Sequence, residues 1–155
     1  MKIIITYGVG EGNTEISAFD SALLDAGINN YNLIKLSSVI PPESIVKVKK
    51  INFNLGKPGE RLYVVISERG EKTKGKEAWA GLGWVLGKNN KTGVFVESQA
   101  SSSKKLENLI EKTLKDLKKN RNLREKKSYK KIIGIKCKNK PVCAVVCAVF
   151  KSEKW

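Results

Sequence analysis

A chain of 155 residues, 41% of them apolar, holds enough material for one globular domain with a real core, here taken as residues 1–155. Its 30 basic and 15 acidic residues leave a net charge of +15, and three cysteines without any histidine suit neither a disulfide framework nor the usual zinc ligand sets. The N-terminal stretch lacks the basic start, apolar segment and small-residue cleavage site of a secretion signal, and the longest apolar run, Val142 to Phe150, is too short to cross a bilayer as a helix, so a cytoplasmic protein with no membrane partner is expected.

Lys2 to Tyr7 reads as a strand buried on both faces, because four consecutive apolar or β-branched residues leave no solvent side. Gly8-Val9-Gly10-Glu11-Gly12-Asn13 follows and reads as a tight turn. A dinucleotide fingerprint would need a third glycine where Asn13 stands, and no acidic residue ends a second strand at the right place. Asn13 or Thr14 caps the next helix, Glu15 complements its positive end, and Gly27 is placed to stop it. Ile16, Phe19 and Leu23 fall on one apolar face, with Asp20 at its border.

Tyr31 to Leu36 reads as a strand that runs into Ser37-Ser38-Val39-Ile40-Pro41-Pro42. Neither proline can donate to a ladder, and each restricts the residue before it to extended geometry. The serine pair therefore stands where a strand ends at a stiff corner, a setting that can hold a peptide bond under strain. Ile45 to Val48 and Arg61 to Ser67 are strands, with the loop Asn54 to Gly59 between them. Ala78 to Leu86 is assigned as a strand because helix interiors rarely carry two glycines. Lys88 to Gly93 is a polar turn, and Val94 to Val96 a strand ending at Glu97.

Ser101 to Ser103 offer caps for an amphipathic helix carrying Leu106, Leu109, Ile110, Leu114 and Leu117 on one face. Tyr129 to Lys136 and Pro141 to Phe150 close the chain as strands, and in the last of them Cys143 and Cys147 share a face as small hydrophobes. Strand, helix, several strands, long helix and two strands is not the alternation of a doubly wound sheet; a layered α+β sandwich fits it. Lys104 to Lys140 holds fifteen basic and four acidic residues, a net of +11 against +4 for the remainder. Such a patch suits nucleic acid or another polyanion, although no RNP-like or helix-turn-helix pattern accompanies it and a solvated lysine-rich surface is the plainer reading.

Several separated blocks resemble the pyruvoyl-dependent arginine decarboxylases in order: Ala18 to Ile28, Asn32-Leu33-Ile34, Ser37-Ser38-Val39-Ile40-Pro41-Pro42-Glu43, and Gly93-Val94-Phe95-Val96-Glu97. The resemblance implies an αββα arrangement and self-cleavage between Ser37 and Ser38, giving chains 1–37 and 38–155. Ser38 would become a covalent pyruvoyl group, with no metal and no pyridoxal phosphate. That group would form a Schiff base with L-arginine, yielding agmatine and carbon dioxide for polyamine biosynthesis. Ser37 would supply the cleaved carbonyl, and Asn32 would assist self-cleavage by polarising it. Glu97 would be the proton donor, helped by partial burial at its strand end, and Asp20 would bind the cationic end of the substrate. The alternatives are a pyruvoyl decarboxylase of another amino acid, or a basic nucleic-acid-binding module without catalysis using residues 104–140.

The chemistry has stated requirements. Ser38 has the Ser37 carbonyl within intramolecular reach, so proximity removes most of the entropic cost of attack, but the tetrahedral oxyanion needs a donor. Asn32 and Ser38 share a side of a continuous strand yet would stand ~20 Å apart, so one site needs either a chain that doubles back between them or neighbouring subunits, and Leu33-Ile34-Lys35-Leu36 contains no turn residue. A site shared between subunits is therefore expected, in line with the trimers, or multiples of trimers, that the resemblance implies.

Overall fold

The computed structural model describes residues 1–87, 92–123 and 127–155. Residues 88–91, most of the expected polar turn Lys88 to Gly93, lie outside the described residues, as do 124–126 within the basic stretch. In chain order the elements are β1 (Lys2–Glu11), α1 (Glu15–Ala26), β2 (Asn32–Lys35), β3 (Val39–Ile40), β4 (Ile45–Val48), β5 (Arg61–Glu71), β6 (Glu77–Val85), β7 (Gly93–Ala100), α2 (Ser103–Asn120), β8 (Ser128–Lys136) and β9 (Val142–Glu153).

The strands form two sheets, one in the order β2-β5-β9-β1-β4 and one in the order β3-β7-β6-β8. In the first, β2 runs parallel to β5 and β4 parallel to β1, while β9 is antiparallel to both of its neighbours; the second is antiparallel throughout. Three apolar clusters separate four layers. Ala18, Ala22 and Ala26 of α1 pack with Leu62, Val64, Cys143 and Val145 of the first sheet. Ile3, Ile5, Val65, Leu82, Trp84, Phe95 and Val146 fill the space between the sheets. Leu106, Ile110 and Leu114 of α2 close over Val85, Val94 and Val96 of the second sheet. The unbroken apolar run in β9 is thereby explained: Cys143, Val145, Cys147 and Val149 face α1, and Val142, Ala144, Val146 and Ala148 face the other sheet.

Three expectations are corrected. The glycine-rich stretch is not a turn, because β1 continues through it and pairs Gly8 with Val145 and Gly10 with Cys143. A side chain on Gly8 would stand 2.2 Å from the Ala22 carbonyl oxygen, and one on Gly10 would stand 2.3 Å from the Ala22 amide nitrogen. These glycines let the helix axis approach the sheet, and only alanine fits the helix face opposite them. Hence α1 buries Ala18, Ala22, Leu23 and Ala26, whereas Ile16 is 81% exposed and Phe19 only half-buried. In α2, Leu109 is exposed on the flank of the buried Leu106, Ile110 and Leu114. The helix ends follow ordinary chemistry: Thr14 and Ser17 cap α1 reciprocally, Gly27 ends it in the left-handed conformation at φ 77°, and the Ser102 hydroxyl accepts from the Lys105 amide.

Candidate active site

The serine pair is the point where the chain leaves one sheet for the other. Through β2 the chain follows β5 in the first sheet, and the Leu36 amide still donates to the Val64 carbonyl at 2.8 Å. One residue beyond the pair it belongs to the second sheet: the Phe95 amide donates to the Ser38 carbonyl at 2.7 Å, and Val39 lies opposite Val94. The Ser37–Ser38 peptide thus spans the gap between the layers. Pro41 and Pro42 then stop β3 after two residues, as residues without an N–H to donate must.

This short edge strand leaves the rest of β7 open. Glu97 follows Phe95 by two positions, so it shares the face turned toward the first sheet, but it lies beyond the cover of β3. It is exposed and stands in the interior of β7, which runs on to Ala100; the expected strand-end position and partial burial are both corrected. The Ser38 hydroxyl reaches it across the crossing and lies 2.6 Å from each oxygen of its carboxylate. On the other side of the same peptide, the Val39 amide donates to the Ser37 carbonyl oxygen at 2.7 Å, closing a three-residue turn around Ser38. A hydroxyl, an acceptor for its proton and a donor on the neighbouring carbonyl are therefore assembled around one peptide bond.

A cleft of about 270 Å³ opens beside Glu97, lined by Lys35, Ser67, Glu68 and Gln99 among others. The Lys35 ammonium stands 3.5 Å from Glu68. Ser67 is buried, donates to the Ser98 carbonyl at 2.6 Å and accepts from the Gly81 amide at 3.2 Å, so it braces the cleft floor with its hydrogen bonds already used. A larger groove of about 700 Å³ runs between α2 and β8 and is lined by neither Ser37, Ser38 nor Glu97.

Asp20 and Asn32 are elsewhere in the chain. Asp20 lies on the solvent side of α1, with exposed Ile16 and Leu24 on either side of it, so its place at the border of a buried face is corrected. The alanine-on-glycine contact turned the helix and left Ile16 and Leu24 outside. Asn32 opens β2, where its side-chain amide donates to the Gly59 carbonyl at 2.6 Å. β2 shows no reversal between Asn32 and Lys35. Tyr31 bridges the loop after β4, its hydroxyl donating to the Gly56 carbonyl at 3.2 Å and accepting from the Leu55 amide at 3.1 Å.

Other reactive groups are occupied by structure. Burial pushes the Cys143 thiol up to about 11, with the charge of Glu68 adding to it, and pushes the Cys147 thiol up as well. Among the described residues no group of three or more metal-ligating side chains converges, and no helix is long and apolar enough to cross a membrane. Sequence reasoning missed the Val39 amide and the Lys35–Glu68 pair beside Glu97. No local pattern marks a backbone N–H as a carbonyl donor, whereas Lys35, a polar position at the end of an edge strand, carried a weak signal.

A family model described as pyruvoyl-dependent arginine decarboxylase matches residues 2–154. Curated relatives of that name include one from Pyrococcus abyssi, 34% identical over 152 residues, and one from Thermococcus sibiricus, 32% identical over 152 residues; each alignment covers 96% of this chain and 94% of the relative. A relative from Halobacterium salinarum is 40% identical over 97 residues, 63% of this chain and 59% of its own length, so the match spans less than two thirds of that protein. A match of this extent to the family model, joined to relatives aligned over nearly their whole length, places the chain in the pyruvoyl-dependent arginine decarboxylase family.

Proposed function

We propose that this protein cuts itself between Ser37 and Ser38 and then decarboxylates L-arginine to agmatine. The observation that carries the proposal is the contact of the Ser38 hydroxyl with the Glu97 carboxylate at 2.6 Å, made across 59 residues of sequence at the crossing between sheets. The hydroxyl, oriented by its hydrogen bond to Glu97, bonds through its oxygen to the Ser37 carbonyl carbon and passes its proton to the departing Ser38 nitrogen. The Val39 amide, already 2.7 Å from that carbonyl oxygen, holds the charge that develops on it. Collapse breaks the C–N bond, the Ser38 nitrogen takes up a proton, and the peptide becomes an ester. Loss of the Ser38 α-proton expels the Ser37 carboxylate, and hydrolysis of the resulting dehydroalanine releases ammonia. Chains 1–37 and 38–155 result.

The residues present fit the pyruvoyl group that the family name implies, since its precursor Ser38 touches Glu97, which itself lines the cleft. Once formed, that group supplies a ketone that condenses with the substrate amine and takes up the electron pair released as the carboxylate departs. Glu97 then stands where a proton must be returned to the substrate carbon, and its exposed position lets it recharge from solvent.

Asp20 and Asn32 enter this scheme from a neighbouring subunit. In one chain neither is hydrogen-bonded to Ser38 or Glu97. Asp20 stands between exposed Ile16 and Leu24, 81% and 62% exposed, an apolar surround that a partner surface would cover. A carboxylate desolvated in that way suits a guanidinium, and the assembly we propose is a trimer or a multiple of trimers with its sites at the subunit boundaries.

The test is the intact mass of purified protein under denaturing conditions, followed by carbon dioxide release from arginine. Two chains cut between Ser37 and Ser38 and an active protein are expected, with Ser38→Ala remaining one inactive chain. A single full-length mass that persists after prolonged warming refutes self-processing; two chains without release from arginine refute the substrate.

A further inference from the structure

The strong positive charge plays no part in the chemistry above. Described residues 104–123 and 127–140 hold thirteen basic and three acidic side chains, and α2 sorts them by direction. At about 100° per residue, Lys104, Lys105, Lys112, Lys115 and Lys119 fall within an arc of about 100°, centred opposite buried Leu106, Ile110 and Leu114. All five are exposed. The glutamates lie on a different flank, where Glu107 and Glu111 hold Lys130 of β8 at 3.3 and 2.8 Å. Among the described residues none of the five crest lysines makes an ion pair, and the acidic residues nearest the crest, Asp116 on one edge and Glu111 on the other, each fall about 20° outside its arc.

A second feature sets this helix apart from an ordinary solvated face. Lys104 and Lys105 occupy its first turn, which contains no acidic residue. Unsatisfied amides make a helix N-terminus positive, so cations there oppose the macrodipole. Among the described residues no intramolecular contact compensates for this broken rule, and an anionic partner would. The crest runs ~22 Å from Lys104 to Lys119 and stands proud of the sheet, as a rod about 10–12 Å across. A duplex major groove is ~12 Å wide and edged by phosphates. The crest offers no apolar face to a membrane: the only large apolar side chain exposed on α2 is Leu109, and its apolar face is consumed by the core.

We infer that the lysine crest of α2 is a docking surface for duplex nucleic acid, bound through its phosphates without sequence preference. The experiment is fluorescence anisotropy of the uncut or processed full-length protein with a short labelled DNA duplex of mixed sequence, between about 50 and 200 mM salt. Micromolar binding is expected, with a log–log salt slope near −4 to −5 for about five neutralised phosphates. Lys105→Glu/Lys112→Glu/Lys119→Glu should weaken binding more than tenfold and flatten the slope by about three. The control Lys47→Glu/Lys57→Glu/Lys74→Glu changes net charge equally at exposed positions away from α2 and should retain most of the affinity. Glutamine in place of glutamate at the crest gives a milder series, and unchanged circular dichroism establishes that each variant is folded. Equal weakening by both triple variants overturns the inference in favour of net charge alone. No binding at about 100 mM salt overturns it too, as does retention on anionic phosphatidylglycerol vesicles without retention of the duplex.

Discussion

Glu97→Gln separates the two tasks assigned to one carboxylate. In the wild type the Ser38 hydroxyl lies 2.6 Å from both oxygens of Glu97. Glutamine keeps one oxygen in nearly the same place, so the hydroxyl still has an acceptor and the serine stays oriented. What is lost is the ionic character of the bond, worth ~1–1.5 kcal/mol, so self-cleavage should slow roughly five- to tenfold. Turnover is affected differently, because an amide has no carboxylic proton to return to the substrate carbon. General acid catalysis of this kind contributes about 10²- to 10⁴-fold, or ~2.7–5.4 kcal/mol of barrier. The cleavage time course is read by intact mass, and turnover by carbon dioxide release from fully cleaved protein, so that slow processing does not masquerade as slow catalysis. Cleaved protein with kcat reduced at least a hundredfold is expected. Turnover within about threefold of wild type would refute the assignment of Glu97 as proton donor. Complete failure to cleave would show that the carboxylate is required as the base and not only as an acceptor.

Asp20→Asn should raise KM for arginine roughly ten- to a hundredfold while self-cleavage proceeds, since a charge-assisted contact is worth ~1.5–3 kcal/mol; unchanged KM refutes its contact with the substrate. Co-expressing Asn32→Ala with Ser38→Ala should restore some cleaved chain, detected by mass, whereas a fully active monomer in sedimentation refutes shared sites. A stability test addresses the base of α1. Burial pushes the Asp25 carboxyl up, but hydrogen bonds from Lys50 and the Val9 amide, with the Lys50 charge, outweigh it and hold it below its ordinary value. A depressed folded-state value means stability present above the ordinary aspartate range near ~3.9 and lost as pH falls through the folded value. Wild type should therefore exceed Asp25→Asn in urea midpoint near neutrality, and the gap should close on acidification; a gap independent of pH refutes the linkage.

Strands whose identity rests on local composition were legible in the sequence. Ile45 to Val48 has its expected ends, Tyr129 to Lys136 lies within a strand one residue longer, and Lys2 to Tyr7 forms the first part of a strand that runs on to Glu11. What was illegible depends on which layer lies opposite. Gly8 and Gly10 look like a turn in isolation; they belong to a strand because β9 pairs with them and α1 presses on them. The same contact rotated the buried face of α1 away from Ile16 while keeping Leu23 inside, since three alanines outweighed Ile16 in burial where only a methyl fits. The site divides in the same way. Strand end and proline corner located the Ser37–Ser38 bond, but nothing between residues 38 and 97 announces that the two would meet. Their association came from the resemblance, because it depends on a crossing between sheets that periodicity does not encode.

That crossing has a mechanical consequence. A cut between Ser37 and Ser38 would leave β1, α1 and β2 on the short chain, yet β1 lies inside the first sheet, clasped by β9 on one side and β4 on the other. Eight register pairs tie it to β9 and four to β4, all across the break. The severed piece is a captive, not a leaving fragment, and should part from its partner only when the whole sheet melts. The two new ends are tethered to different layers, so the strap that held those layers together at one edge would be gone. The edge beside Glu97 would then be free to widen without disturbing the core, enlarging for an incoming amino acid the cleft already present there.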